Sequence, residues 1–206
     1  MEVYWLKQRK SVIWCFLCLF LFQSLAQKQL EIKDTKLRVV VVGDIGVSET
    51  ISEVKTRVVA TIRREHERLP FKLGINLGGN VYPSGSQKGD INSLDEVFSS
   101  SFPREIFSFD FLTVLGPVDY KGDLETQFNF HQLEERFHLP AKNYFYGCSF
   151  NNKDVMLSDG TSIRFVCIDS TPIYQTGLSK NLILKVTSKE ISDQIDILES
   201  WLDNSR

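Results

Sequence analysis

Three times along this chain a short stretch rich in apolar residues stops abruptly at glycine, and stretches with helical spacing stand between them. Residues 37–42 lead into Gly43, 72–77 into Gly78-Gly79, and 109–115 into Gly116. An apolar run without polar alternation reads as a strand covered on both faces. Residues 48–69 place Ile51, Val54, Val58 and Ile62 at helical spacing, and Pro70 stops them. A short helix is predicted around 94–98. A longer one is predicted over 123–137, with Leu124, Phe128, His131 or Gln132, and Phe137 on one side. Strand, helix, strand, helix, strand in this order predicts an α/β fold with a mostly parallel sheet. Residues 144–150 and 163–168 read as antiparallel strands joined by the Asp159-Gly160 turn. The stretch 188–202 reads as a helix capped by Thr187, with Glu190 three residues on as a capping box.

The first 26 residues differ from the rest. Lys7, Arg9 and Lys10 precede an unbroken apolar run over 12–22, followed by Gln23-Ser24-Leu25-Ala26. That three-part pattern predicts a signal peptide cleaved after Ala26, and so entry into the secretory pathway, with a secreted or lumenal product. The apolar run is short for a membrane span, which needs roughly 20 residues. Cys15 and Cys18 belong to this segment; Cys148 and Cys167 lie in predicted strands, and their spacing leaves pairing open. Across 206 residues, 24 Lys and Arg face 26 Asp and Glu, for a net charge of −2. With no basic cluster beyond the first ten residues, a nucleic-acid partner is not expected.

In a parallel α/β sheet, chemistry gathers in the loops beyond the carboxyl ends of the strands. Here those loops are Gly43-Asp44-Ile45-Gly46, Gly78-Gly79-Asn80-Val81-Tyr82 and Gly116-Pro117-Val118-Asp119. In order, spacing and placement they resemble the calcineurin-like metallophosphoesterases, most closely the small, tartrate-resistant type of purple acid phosphatase. That family carries Gly-Asp-Trp-Gly, Leu-Gly-Asp-Asn-Phe-Tyr and Gly-Asn-His-Asp at these three places. The likeness extends to Tyr82-Pro83-Ser84-Gly85-Ser86-Gln87, to Gly122 followed by Gln127, and to Cys167-Ile168-Asp169-Ser170. It implies an incomplete calcineurin-like phosphoesterase domain over 37–206. This would be the N-terminal part of a metallophosphoesterase-type αββα sandwich, truncated at its C-terminus.

Complete members hold two metal ions roughly 3.5–4 Å apart. Two cations that close repel, so a carboxylate must bridge them. Carried over residue by residue, the resemblance puts the first carboxylate on Asp44 and the phenolate on Tyr82. The bridging carboxylate falls on Gly79, the amide ligand on Pro117 and the catalytic-site histidine on Val118. The family's two later histidine motifs have no counterpart in the sequence. Asp44 and Tyr82 are thus the residual metal positions, against about four ligands for a stable zinc site. No catalytic residue and no bound cofactor are expected; iron or zinc would be the metals if any were held. Of the other metal-ligating side chains, His66 reads as part of a solvated helix face, and His131 and His138 as flanking the end of the third helix. Asp119 and Asn80 read as organisers of the loops.

The resemblance therefore implies a non-catalytic, phosphatase-like domain of the secretory pathway that binds or anchors a protein partner there or at a membrane. A known branch with eroded motifs of this kind is the glideosome-associated membrane anchor of apicomplexan parasites. The alternative is a metal-dependent acid phosphatase acting on phosphomonoesters.

Overall fold

The computed structural model describes residues 30–139, 155–171 and 188–203. Their strands are β1 (Glu31–Ile32), β2 (Val39–Val42), β3 (Leu73–Asn76), β4 (Phe111–Thr113), β5 (Phe137–His138), β6 (Val155–Leu157) and β7 (Ser162–Ile163). Strands β2-β3-β4-β5 form one sheet in that order, every pair parallel. A second sheet runs β1-β6-β7, with β1 parallel to β6 and β7 antiparallel to it. The helices are α1 (Glu53–Arg68), α2 (Ile91–Leu94) continued by a wider π turn (Asp95–Ser99), α3 (Leu124–Leu133) and α4 (Ser188–Asp203). Among the described residues no helix is long and apolar enough to cross a membrane.

Side-chain alternation along the parallel strands sends successive residues to two separate apolar layers. Val40 and Val42 face the larger one, which holds Val59 of α1, Phe98, Phe111, Phe128 and Phe137. Phe98 sits at its centre, with the rings of Phe102, Phe111, Phe130 and Phe137 at 4.9–6.2 Å. On the other face Leu73 and Leu112 meet Ile32 and Val155 of the second sheet. The parallel sheet is thus covered by helices on one side and by the small sheet on the other.

Several boundaries differ from the sequence reading, each for a local reason. Helix α1 begins at Glu53, because Ser48 is spent on a turn with Thr50 and Ile51, and Ser52 becomes the N-cap by accepting the Lys55 N–H at 3.2 Å. Helix α3 stops at Leu133, short of Phe137. There Glu134 takes the guanidinium of Arg136, whose Nη1 donates to the Phe102 and Phe107 carbonyls. Arg136 is buried, and its carbonyl accepts the Phe111 N–H at 2.7 Å. Phe137 is thereby handed to β5 instead of a helix face.

The Asp159-Gly160 turn is where it was expected, but it joins β6 to β7; the strand expected over 144–150, the Thr187 cap, Cys148 and the leader over 1–26 lie outside the described residues. Strand β1 was not foreseen, two residues being too few to show a pattern. Cys167 is half-buried and lies past the end of β7.

Candidate functional site

The three loops meet beyond the carboxyl ends of β2, β3 and β4. Two backbone bonds lock the first to the second: the Asp44 N–H donates to the Gly78 carbonyl at 2.8 Å, and the Gly46 N–H to the Gly79 carbonyl at 2.9 Å. Gly78 and Gly116 let the second and third loops touch backbone to backbone; a Cβ at Gly78 would lie 2.4 Å from the Gly116 nitrogen. Lys55 on α1 braces the first loop from behind, donating to the Ile45 carbonyl at 2.7 Å and to that of Val97. Burial lowers the Lys55 pKa to about 8.

Asp119 is the hub. It is fully buried, and its carboxylate accepts the N–H groups of Gly79 (2.9 Å), Asn80 (2.9 Å), Val81 (3.3 Å) and Gly116 (2.8 Å), together with Gln127 Nε2 (3.0 Å). Burial pushes its carboxyl upward, against the pull of those donors. Beside it runs a chain of buried amides: Asn76 Nδ2 donates to Asn80 Oδ1 at 2.7 Å, and Asn80 Nδ2 to Gln127 Oε1 at 2.9 Å. Asn80 Nδ2 also reaches the Val114 carbonyl at 3.3 Å. The loop-organising roles expected of Asp119 and Asn80 are thus present, and Asn76 joins them unforeseen. It ends β3, between Ile75 and Leu77 in a stretch that reads only as a strand.

Asp44 and Tyr82 are brought together. Asp44 stands in the left-handed region with φ +53°, which Asp tolerates better than most residues. Tyr82 Oη donates to its Oδ1 at 2.7 Å. That hydrogen bond, and after it burial, raises the Tyr82 pKa. A phenol with its proton fixed on a carboxylate is poorly set up to serve as a phenolate ligand, because the proton must leave before the oxygen can bind a cation.

Between them, where the resemblance would put a bridging carboxylate, stands Gly79. Its φ is +72°, and a Cβ built there would lie 2.4 Å from Asp44 Oδ1. No side chain fits at 79 while Asp44 and Tyr82 hold each other. At the positions the resemblance would give to the amide and histidine ligands, Pro117 is exposed and Val118 is buried. Among the described residues no group of three His, Cys, Asp or Glu side chains is arranged to hold a metal ion. Among the described residues the donor set at this crevice does not fit a dinuclear metal centre.

The histidines lie elsewhere. His131 Nδ1 donates to the Phe137 carbonyl at 2.7 Å, and His138 Nε2 is 3.4 Å from Asp110 Oδ2, ahead of β4. His138 belongs to β5, not to the end of a helix. His66 is not on a solvated face: its ring lies 5.4–5.9 Å from those of Phe71, Phe107 and Phe109. The neighbouring Arg63 and Arg64 concealed this in the sequence; the phenylalanines at 71, 107 and 109 were the available signal.

Compared with models of known protein families and with curated proteins, the chain matches none. A second buried carboxylate, Asp169, ties the crevice region to the far end of the chain. It accepts Tyr120 Oη and the Thr171 N–H (3.0 Å), while Gln194 of α4 brackets its backbone, accepting the Asp169 N–H at 2.8 Å and donating to its carbonyl at 3.0 Å.

Proposed function

We propose that this chain is a non-catalytic relative of the purple acid phosphatases that works in the secretory pathway by binding or anchoring a protein partner. The observation that carries the reading is Gly79: where two adjacent cations would need a shared negative group, the backbone has positive φ and Asp44 fills the space. On this reading the α/β arrangement is the amino-terminal part of a metallophosphoesterase sandwich. Exposed apolar side chains support a binding role. Val41 on the edge strand β2 and Leu77 just past the end of β3 are 57% and 59% exposed, and Val54 and Val58 project one turn apart from α1.

The test is metal content and turnover of the purified full chain. After incubation with zinc and iron salts and removal of free metal, we expect less than one equivalent bound and no hydrolysis of an aryl phosphate at acid pH. Gly79→Asp is expected to restore neither, and to lower stability by about 1–2 kcal/mol through strain at positive φ. The second reading, an acid phosphatase acting on phosphomonoesters, is favoured by the retained Asp44–Tyr82 pair. Two equivalents of tightly held metal, with hydrolysis abolished by Asp44→Ala, would establish it and sink the first. Secretory entry is checked separately: the exported protein should begin at Gln27.

A further inference from the structure

The carboxyl-end crevice has a counterpart at the opposite end of the parallel sheet. A cavity of about 400 Å³ opens there between the last turn of α1 and the segments leading into β3 and β4. Leu30, His66, Phe71, Lys72, Phe109 and Asp110 line it. Its size falls near the lower end of the range for small-molecule sites, roughly 300–1,000 Å³.

The walls are aromatic and fixed. The His66 ring stacks on Phe71 at 5.9 Å and leans on Phe109 at 5.4 Å, while Phe71 and Phe109 meet edge to face at 6.4 Å. His66 Nδ1 accepts the Phe71 N–H at 3.1 Å, and the Arg38 guanidinium covers the Phe71 ring at 4.7 Å. Burial, followed by the positive charge of Lys72, lowers the His66 pKa, so Lys72 projects its field into these rings. Lys72 itself is exposed. The Asp110 carboxylate, in contrast, is buried and turned toward His138. A hollow lined by aromatic rings, with polar groups and the Lys72 side chain among its walls, asks for a flat body carrying one negative charge.

We infer that this cavity binds a small aromatic carboxylate, its ring against Phe71 and Phe109 and its carboxylate on the Lys72 ammonium. The site lies at the end of the sheet remote from Asp44 and Tyr82, and does not depend on what they do.

Phenylacetate is a suitable probe, with phenethylamine and benzyl alcohol as cationic and neutral comparisons of similar shape. Titrated into the full chain and followed by calorimetry and by ring resonances of His66 and Phe71, phenylacetate should bind saturably. Phenethylamine should not, and Lys72→Ala should weaken phenylacetate about tenfold, the loss of one charge-assisted hydrogen bond. Lys72 is exposed, so this variant should keep the parent's circular dichroism; Lys72→Arg should bind within about threefold of the parent. Absence of saturable binding up to about 10 mM would overturn the proposal. So would equal binding of all three probes, or an affinity unchanged in Lys72→Ala.

Discussion

Asp119→Ala is expected to lower the free energy of unfolding by roughly 3–5 kcal/mol, a large share of the stability of a domain this size. The carboxylate terminates five donors that have no water to turn to, four of them backbone N–H groups from two different loops. An unsatisfied buried donor costs about 1–3 kcal/mol, and relaxation of the loops recovers part of the total. Asp119→Asn keeps the shape but turns an NH₂ toward donors on one side, so it should fall between parent and Ala. Urea denaturation of the three proteins at neutral pH gives the ranking. A loss below about 1 kcal/mol for the Ala variant would mean that the loops are held by their backbone contacts alone.

The second large effect is a pH dependence set by Asp169. Burial drives its carboxyl up to about 6 from an ordinary 3.8, against the opposing pull of Tyr120 and Thr171. The folded state therefore holds the proton more tightly than the unfolded chain does. The associated stabilisation is complete below pH 4 and fades as pH climbs through 6; a displacement of that size corresponds to about 2–3 kcal/mol. Other carboxylates, such as Glu134 with its pKa lowered beside Arg136, slope the other way. The informative quantity is thus the difference between parent and Asp169→Asn. The variant cannot ionise, so relative to the parent it should gain about 2–3 kcal/mol between pH 4 and pH 7.5, whatever constant offset its altered hydrogen bonds impose. Urea midpoints at four or five pH values settle it, and a difference independent of pH would remove Asp169 from this role. An acidic compartment would accordingly tighten the link between α4 and the 3₁₀ turn (Asp119–Lys121) that carries Tyr120.

Much of the parallel sheet was legible because its strands announce themselves twice, by stretches rich in apolar residues and by the glycines that close them. The convergence of the loops followed from strand-end placement, whereas Asp44 and Tyr82 were singled out within them only by the family resemblance. What escaped notice was of two kinds. Short elements such as β1 have no period to read, being fixed by register with a strand more than a hundred residues away. Buried polar groups were the other kind. Glu134, Glu135 and Arg136 look like the wet side of a continuing helix, yet Arg136 is sunk among phenylalanines and satisfied by two carbonyls and Glu134. Asn76 and His66 hid in the same way, since residue type says how much burial costs but not whether partners wait to offset it.

The contact of Gly78 with Gly116, backbone against backbone, has a dynamic consequence. The same two loops are also tied by one buried carboxylate, Asp119, which accepts N–H groups from both, so neither can loosen while its neighbour stays in place. Breathing of the crevice rim is then an all-or-none event, and the amide protons of Gly79, Asn80 and Gly116 would trade for deuterium together, at one common rate of opening.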